Sequence, residues 1–242
     1  MSTEKRTLLG VLTPSSNTRL EPLTSAMVAD LPGVSAHFGR FRVVDVGLAA
    51  AGQFDPAPVV EAARLLADAQ VDAITWSGTS GGWRGVAADR ELCAAVTEVT
   101  GVPSTTSMLG LFEAAHRLGS RRLALVSPYP DNMHHAIIAT FEGAGLEVVA
   151  AANDGFTTSN WELSTMPADR IGRMVETVAA AEPDAIVPFC TNLVAAGHAQ
   201  EWEDAFGVPV LDSITLATWH GLVLAGYDKP WPAGWGRFFE AG

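Results

Sequence analysis

Two segments of this chain carry residue types that can hold a small anion and hand it a proton. The first, Gly78-Thr-Ser-Gly-Gly-Trp-Arg-Gly85, follows a strand-like run and precedes a helical one. Its backbone N–H groups and the hydroxyls of Thr79 and Ser80 can therefore converge on negative charge. The loop lacks the Lys-Ser/Thr ending of a P-loop and the glycine spacing of the dinucleotide fingerprint, so a carboxylate or an enolate suits it better than a nucleotide. The same residues would also serve a glycine-rich turn whose hydroxyls cap the next helix. The second segment is Pro-Phe-Cys190-Thr-Asn, between a strand-like run and a presumed helix. A thiol at a helix start is expected to have a pKa below the ~8.5 of a free cysteine, which permits reversible proton donation near neutral pH. Free cysteines are also common as small buried hydrophobes, the reading that fits Cys93 in Glu-Leu-Cys-Ala-Ala-Val.

Other chemistries find no support. The six histidines show no metal-ligand spacing: His134 and His135 are adjacent, and His37, His116, His198 and His220 are isolated. No Gly-x-Ser-x-Gly elbow marks a serine nucleophile. One thiol among hydroxyls and amides suits enolate chemistry with neither cofactor nor metal, in which donors bind the developing charge and one acid delivers a proton.

Positioning these groups falls to an alternation of short aliphatic runs and longer amphipathic ones, the pattern of an α/β protein with parallel sheets. Strands are expected at Thr7–Leu12, Val34–Val44, Ala73–Trp76, Ser104–Thr106, Leu123–Val126, Leu146–Ala150, Ala185–Pro188 and Val208–Leu211. Helices are expected around Val59–Ala67 and at Asp89–Thr100, Met108–Leu118, Asn132–Gly143 and Ala168–Ala181. A weak internal repeat organises them. Val71-Asp-Ala-Ile aligns with Pro183-Asp-Ala-Ile at a spacing of 112, Leu9-Gly-Val-Leu-Thr-Pro14 with Leu123-Ala-Leu-Val-Ser-Pro128 at 114, and Gly101-Val-Pro103 with Gly207-Val-Pro209 at 106. The expected fold is thus two similar lobes, each a mainly parallel sheet flanked by helices and related by pseudo-twofold symmetry. Residues 1–118 form the first, 119–211 the second, and 212–242 pack back on the first. Ligands bind at the carboxyl edges of such sheets, which would bring Pro14, Gly78–Ser80, Pro128–Tyr129 and Cys190–Asn192 around one cleft.

The 242 residues, 48% of them hydrophobic, supply a core without disulfide support from only two cysteines. A formal charge of −12 without basic clusters argues against nucleic acid and anionic membranes as partners. The opening residues have no apolar leader stretch, which suggests a cytoplasmic address. The expected partner is a small molecule, and a homo-oligomer is compatible with all of this.

Gly10-Val-Leu-Thr-Pro-Ser-Ser-Asn-Thr18, the Thr79-Ser80 loop, Ser127-Pro-Tyr-Pro-Asp131 and Phe189-Cys-Thr-Asn-Leu193 together resemble the aspartate/glutamate racemase superfamily. Within it they are most similar to the branch of maleate cis-trans isomerases and arylmalonate decarboxylases. The resemblance implies a two-lobed fold with the active site between the lobes, no cofactor and no metal. Racemising and isomerising members usually carry a cysteine in each lobe; here the first-lobe position is Gly78 and only Cys190 remains, as in the arylmalonate decarboxylases. Their mechanism, carried over, has Thr79, Ser80, Tyr129 and the Thr191 backbone hold a carboxylate that becomes an enediolate as CO2 leaves. Cys190 then protonates it from one face, and Gly78 leaves the opposite face without a donor or acceptor. Asn17 and Asn160 match positions where maleate isomerases bind substrate carboxylates, while Leu163 keeps the neighbouring pocket position apolar. The implied function is a malonate-type decarboxylase, with an isomerase or racemase of small dicarboxylates as the alternative and a non-catalytic binding protein as a third.

Overall fold

Runs buried on both faces become parallel strands, and runs with one apolar stripe become the helices that cover them. The computed structural model describes residues 6–44, 46, 55–155 and 157–240; the opening residues, read above for a leader, lie largely outside these. The first sheet contains β1 (Thr7–Pro14), β2 (Val34–Phe41), β3 (Ala73–Trp76) and β4 (Ser104–Thr106), in the order β2-β1-β3-β4. The second contains β5 (Arg122–Ser127), β6 (Glu147–Asn153) and β7 (Ala185–Pro188), in the order β6-β5-β7. Every pairing in both sheets is parallel. The helices are α1 (Leu20–Ala29), α2 (Ala57–Asp68), α3 (Gly81–Arg84), α4 (Val86–Thr100), α5 (Ser107–Leu118), α6 (Asp131–Gly143), α7 (Asn160–Leu163), α8 (Ala168–Ala179), α9 (Ala199–Phe206), α10 (Ser213–Leu224) and α11 (Arg237–Glu240), with a 3-10 turn at Ala195–His198. None is long and apolar enough to cross a membrane among the described residues.

The sequence repeat reappears as a repeat of hydrogen bonds. Asp72 and Asp184, 112 residues apart, each accept from the amide that opens the neighbouring strand: Leu8 N at 2.7 Å in one sheet and Arg122 N at 2.8 Å in the other. Ile74 N donates to Pro103 O at 2.9 Å, and Ile186 N to Pro209 O at 2.8 Å. Gln70 and Glu182 occupy equivalent places before these strands, with φ of 55° and 47°. No other described non-glycine residue enters the left-handed region, where a side chain costs on the order of 1 kcal/mol.

Two expectations change. The stretch at Val208–Leu211 makes one parallel bridge, Ile186 to Val210, rather than a strand. Pro209 has no N–H for a ladder, and Asp212 immediately caps α10 through the amides of Ile214 and Thr215. The sheet end expected at Val44 comes at Phe41, because the Val43 amide turns to the Ser15 hydroxyl.

Helix α10 escaped the periodicity search because it has no polar face: nine of its residues are buried. It packs against β1, β3, β4, α1 and α5, completing the core of Leu9, Val11, Leu20 and Ala73 with Ile214, Leu222 and Tyr227. Its approach to α5 requires Gly110, where a Cβ would lie 2.7 Å from the Leu216 carbonyl oxygen. Gly110→Ala should therefore destabilise the protein by about 1–3 kcal/mol through backbone displacement. Gly143→Ala, with open space around it, should be neutral or gain about 0.5–1 kcal/mol from helix propensity. Paired urea melts check this; equal midpoints for the two variants would refute the close-packing account.

Candidate active site

The site grows out of the carboxyl ends of β1, β3, β5 and β7. After Pro14, buried at the end of β1, the chain turns so that Asn17 N bonds Pro14 O at 2.9 Å. The Asn17 side-chain oxygen accepts from Arg19 N (2.9 Å) and Leu20 N (3.0 Å), starting α1. Its amide nitrogen donates across the seam to Thr191 O at 2.9 Å and lies 3.4 Å from the Thr191 hydroxyl. The Thr191 hydroxyl in turn donates to Ser77 O at 3.2 Å. Asn160 opens α7 and donates to the Ser16 hydroxyl at 2.9 Å, while Asn192 donates to the Asn160 carbonyl and accepts from Thr18 N at 3.1 Å. Arg19 clamps Ser164 O with two N–H groups, at 2.9 and 2.6 Å. Asn17 and Asn160, expected as carboxylate ligands, thus tie one sheet's loops to the other's.

At the centre of these ties lies a buried chain of three side chains. The hydroxyls of Thr79 and Tyr129 share a hydrogen bond of 2.9 Å, and Tyr129 also bonds the Cys190 thiol. The Asn192 amide donates to Cys190 Sγ at 3.4 Å. Cys190 and Tyr129 are each only 2% exposed. Trp83 packs edge-on against Tyr129 with ring centres 5.3 Å apart, and Leu163 is buried in the same core cluster as Tyr129 and Cys190. The Ser80 hydroxyl is buried without a partner among the described residues, as are Ser77 Oγ and the indole N–H of Trp76. Buried donors are rarely left so, since each costs about 1–3 kcal/mol; donors gathered on one loop suit an acceptor-rich ligand.

The electrostatics correct one expectation. Cys190 is not at a helix start: a turn and the 3-10 helix separate it from α9. Burial pushes its thiol up to about 11, opposed by the bonds from Tyr129 and Asn192 and reinforced by the charge of Asp212. Burial thus favours the neutral thiol over the thiolate. Tyr129 is pushed well above its ordinary range, by burial first and then by the neighbouring thiol. Cys93 rises to about 12, again by burial.

Gly78 is closely packed: a Cβ there would lie 2.3 Å from the Trp76 indole. Trp76 is itself held against Phe41, with ring centres 4.8 Å apart.

Two buried carboxyls beside the site were missed. Asp212 is raised to about 7 by burial; its Asp-Ser-Ile-Thr context is a helix-start signal that would have found it. Asp89 is raised to about 6, by burial against the pull of Thr106 and Arg84, and sits where a Cβ on Gly81 would lie 2.6 Å from its carboxylate. No motif announces Asp89, which supports the loop from below.

Two parallel sheets related by an internal repeat, with a buried thiol, phenol and hydroxyl where their carboxyl edges meet, define an α/β enzyme of the aspartate/glutamate racemase superfamily. Within it the chain belongs to the arylmalonate decarboxylase family, whose profile matches residues 51–239. It is 29% identical over 231 residues to the arylmalonate decarboxylase of Bordetella bronchiseptica, covering 95% of this chain and 92% of that one. It is 25% identical to the maleate isomerase of Nocardia farcinica, covering 92% and 90%. A solved structure of that species' maleate cis-trans isomerase, a cysteine-to-serine mutant with a covalently bound succinylcysteine intermediate, superposes with a TM-score of 0.89 at 23% identity, over 98% of this chain and 99% of that one.

The thiol assignment is checked by thiolate absorbance in a Cys93→Ala background. The Cys190 midpoint should lie well above the ~8.5 of a free cysteine. Tyr129→Phe should raise it further by removing a donor to the thiolate, and Asp212→Asn should lower it by removing a negative neighbour. A midpoint below neutrality would contradict the burial argument.

Proposed function

We propose that the chain is a cofactor-independent decarboxylase of a substituted malonate in which Cys190 is the sole thiol acid. The observation that carries this is the chain Thr79–Tyr129–Cys190, with a protonated thiol at one end and glycine at the first-lobe position where a second thiol would stand. Thr79, Ser80, Tyr129 and the Thr191 backbone hold one carboxylate. The other leaves as CO2, and the electron pair of the broken C–C bond moves into the held carboxylate, making it an enediolate. Donors already aimed at the developing charge stabilise it without reorganisation. The planar carbon then takes the Cys190 proton, and the thiolate regains one from solvent. Residues 1–118 and 119–211 act as the two jaws, with 212–242 returning to the first. Asn17 and Asn160 act by holding the jaws in register, and Leu163 keeps the floor of the pocket apolar.

Isomerisation of a small dicarboxylate is the second reading, favoured by the likeness to the Nocardia maleate isomerase. Attack on an alkene calls for a thiolate, and the raised Cys190 pKa disfavours one.

CO2 release across a panel of 2-substituted malonates, with maleate as the competing substrate, tests the proposal. Cys190→Ala should lose about 10²–10⁴-fold in kcat, whereas Cys93→Ala should be unaffected. Maleate turnover without CO2 release from any malonate would replace the first reading with the second.

The Trp76 wall adds a stereochemical expectation. Product from a prochiral malonate should be a single enantiomer that the enzyme does not racemise. Gly78→Cys alone should be destabilised and fail to exchange the α-proton of a 2-aryl acid in D2O, because the indole occupies the place of the new side chain. Trp76→Ala with Gly78→Cys should exchange it. Racemic wild-type product, or exchange by the single variant, would overturn this account of the opposite face.

A further inference from the structure

Away from the candidate active site, a groove of about 870 Å³ runs between the start of α4, the end of α5 and the turn that follows α6. Neither Thr79, Tyr129 nor Cys190 lines it. Its volume falls within the range of small-molecule sites, about 300–1,000 Å³. None of its fourteen lining residues is acidic, although the chain has 27 Asp and Glu against 15 Lys and Arg. Arg90, His116 and Arg121 line it instead.

Arg90 and Arg121 are exposed, and neither guanidinium has an ion pair or hydrogen bond among the described residues. This sets them apart from Arg40, Arg64, Arg117, Arg170 and Arg237, each paired with a carboxylate. The ends of α5 and α6 that reach the groove are capped, Ser120 N bonding Ala115 O at 2.9 Å and Leu146 N bonding Phe141 O at 3.1 Å, so these carbonyls are already engaged. Gly85, Gly119, Gly143 and Gly145 leave backbone uncovered along the walls, while Val86, Phe112 and Leu146 supply an apolar patch. Guanidinium forks match phosphate and carboxylate oxygens two at a time.

We infer that this groove is a second ligand site, for an organic anion that carries at least two negative charges, phosphate or carboxylate, on a short apolar body. It is separate from the site that handles the reacting substrate and makes no use of Cys190. Isothermal titration of the full chain at low ionic strength, with inorganic pyrophosphate and with tricarballylate as probes, tests it. At least one probe should bind one-to-one, equally well to the wild type and to Thr79→Ala. Which probe binds tells a phosphorylated ligand from a polycarboxylate. Arg90→Gln combined with Arg121→Gln should weaken binding about tenfold or more through lost charge-assisted bonds; both positions are exposed, so the fold is not at stake. The inference is overturned if neither probe binds at millimolar concentration. It is also overturned if the double variant binds as the wild type does, or if Thr79→Ala abolishes the signal, which would place the anion in the catalytic cleft.

Discussion

The seam between the two sheets is buried, and several of the polar groups enclosed there find their partners on the opposite side. This pairing shapes the molecule. A buried amide without a partner costs more than a hydrogen bond gains, so Asn17 must reach Thr191, Asn160 must reach Ser16, and Arg19 must reach Ser164. Each tie fixes one loop of one sheet against one loop of the other. The bond between Thr79 and Tyr129 belongs to the same set, and with the bonds of Thr18 to Asn192 and of Asn17 to Thr191 it joins the first sheet's loops to the surroundings of Cys190. Positioning and electrostatics draw on one source, because the ties that hold the loops also keep Cys190 buried, and burial is what raises its pKa.

Burial also differs between the two positions. Cys190 belongs to the core that includes Tyr129 and Leu163, whereas the Trp76 indole, packed on Phe41, fills the volume beside Gly78 within the core of the first sheet.

Much of the architecture was legible because backbone constraints leave marks in sequence. The Asp-Ala-Ile and Gly-Val-Pro echoes recur since Asp72 and Asp184, and Pro103 and Pro209, perform the same bonding in each sheet. Periodicity located α2, α4, α5, α6 and α8 but passed over α1 and the short α9, and over α10, whose burial on all sides removes the period being sought. At the candidate site, proximity was legible and environment less so. Thr79, Tyr129 and Cys190 come together, yet the thiol's environment depends on what surrounds it in space, and the residues after Cys190 form a turn where a helix was expected. Trp76 was overlooked because a hydrophobic residue at a strand end reveals nothing of the direction its ring takes. Asp89 was overlooked because its burial comes from the Gly81–Arg84 turn folding against it, which its own position in a helical run does not reveal.

Helix α10 has a bearing on how the molecule is made. The face of the first sheet formed by Leu9, Val11 and Ala73 is covered by Ile214 and Leu222, residues that leave the ribosome long after the strands they shelter. The early half of the nascent polypeptide therefore emerges with an apolar surface that it cannot close by itself. The second sheet's core likewise draws on Leu216, Trp219, Phe238 and Phe239 from the last part of the chain. Both sheets therefore close their cores only when that segment is in place.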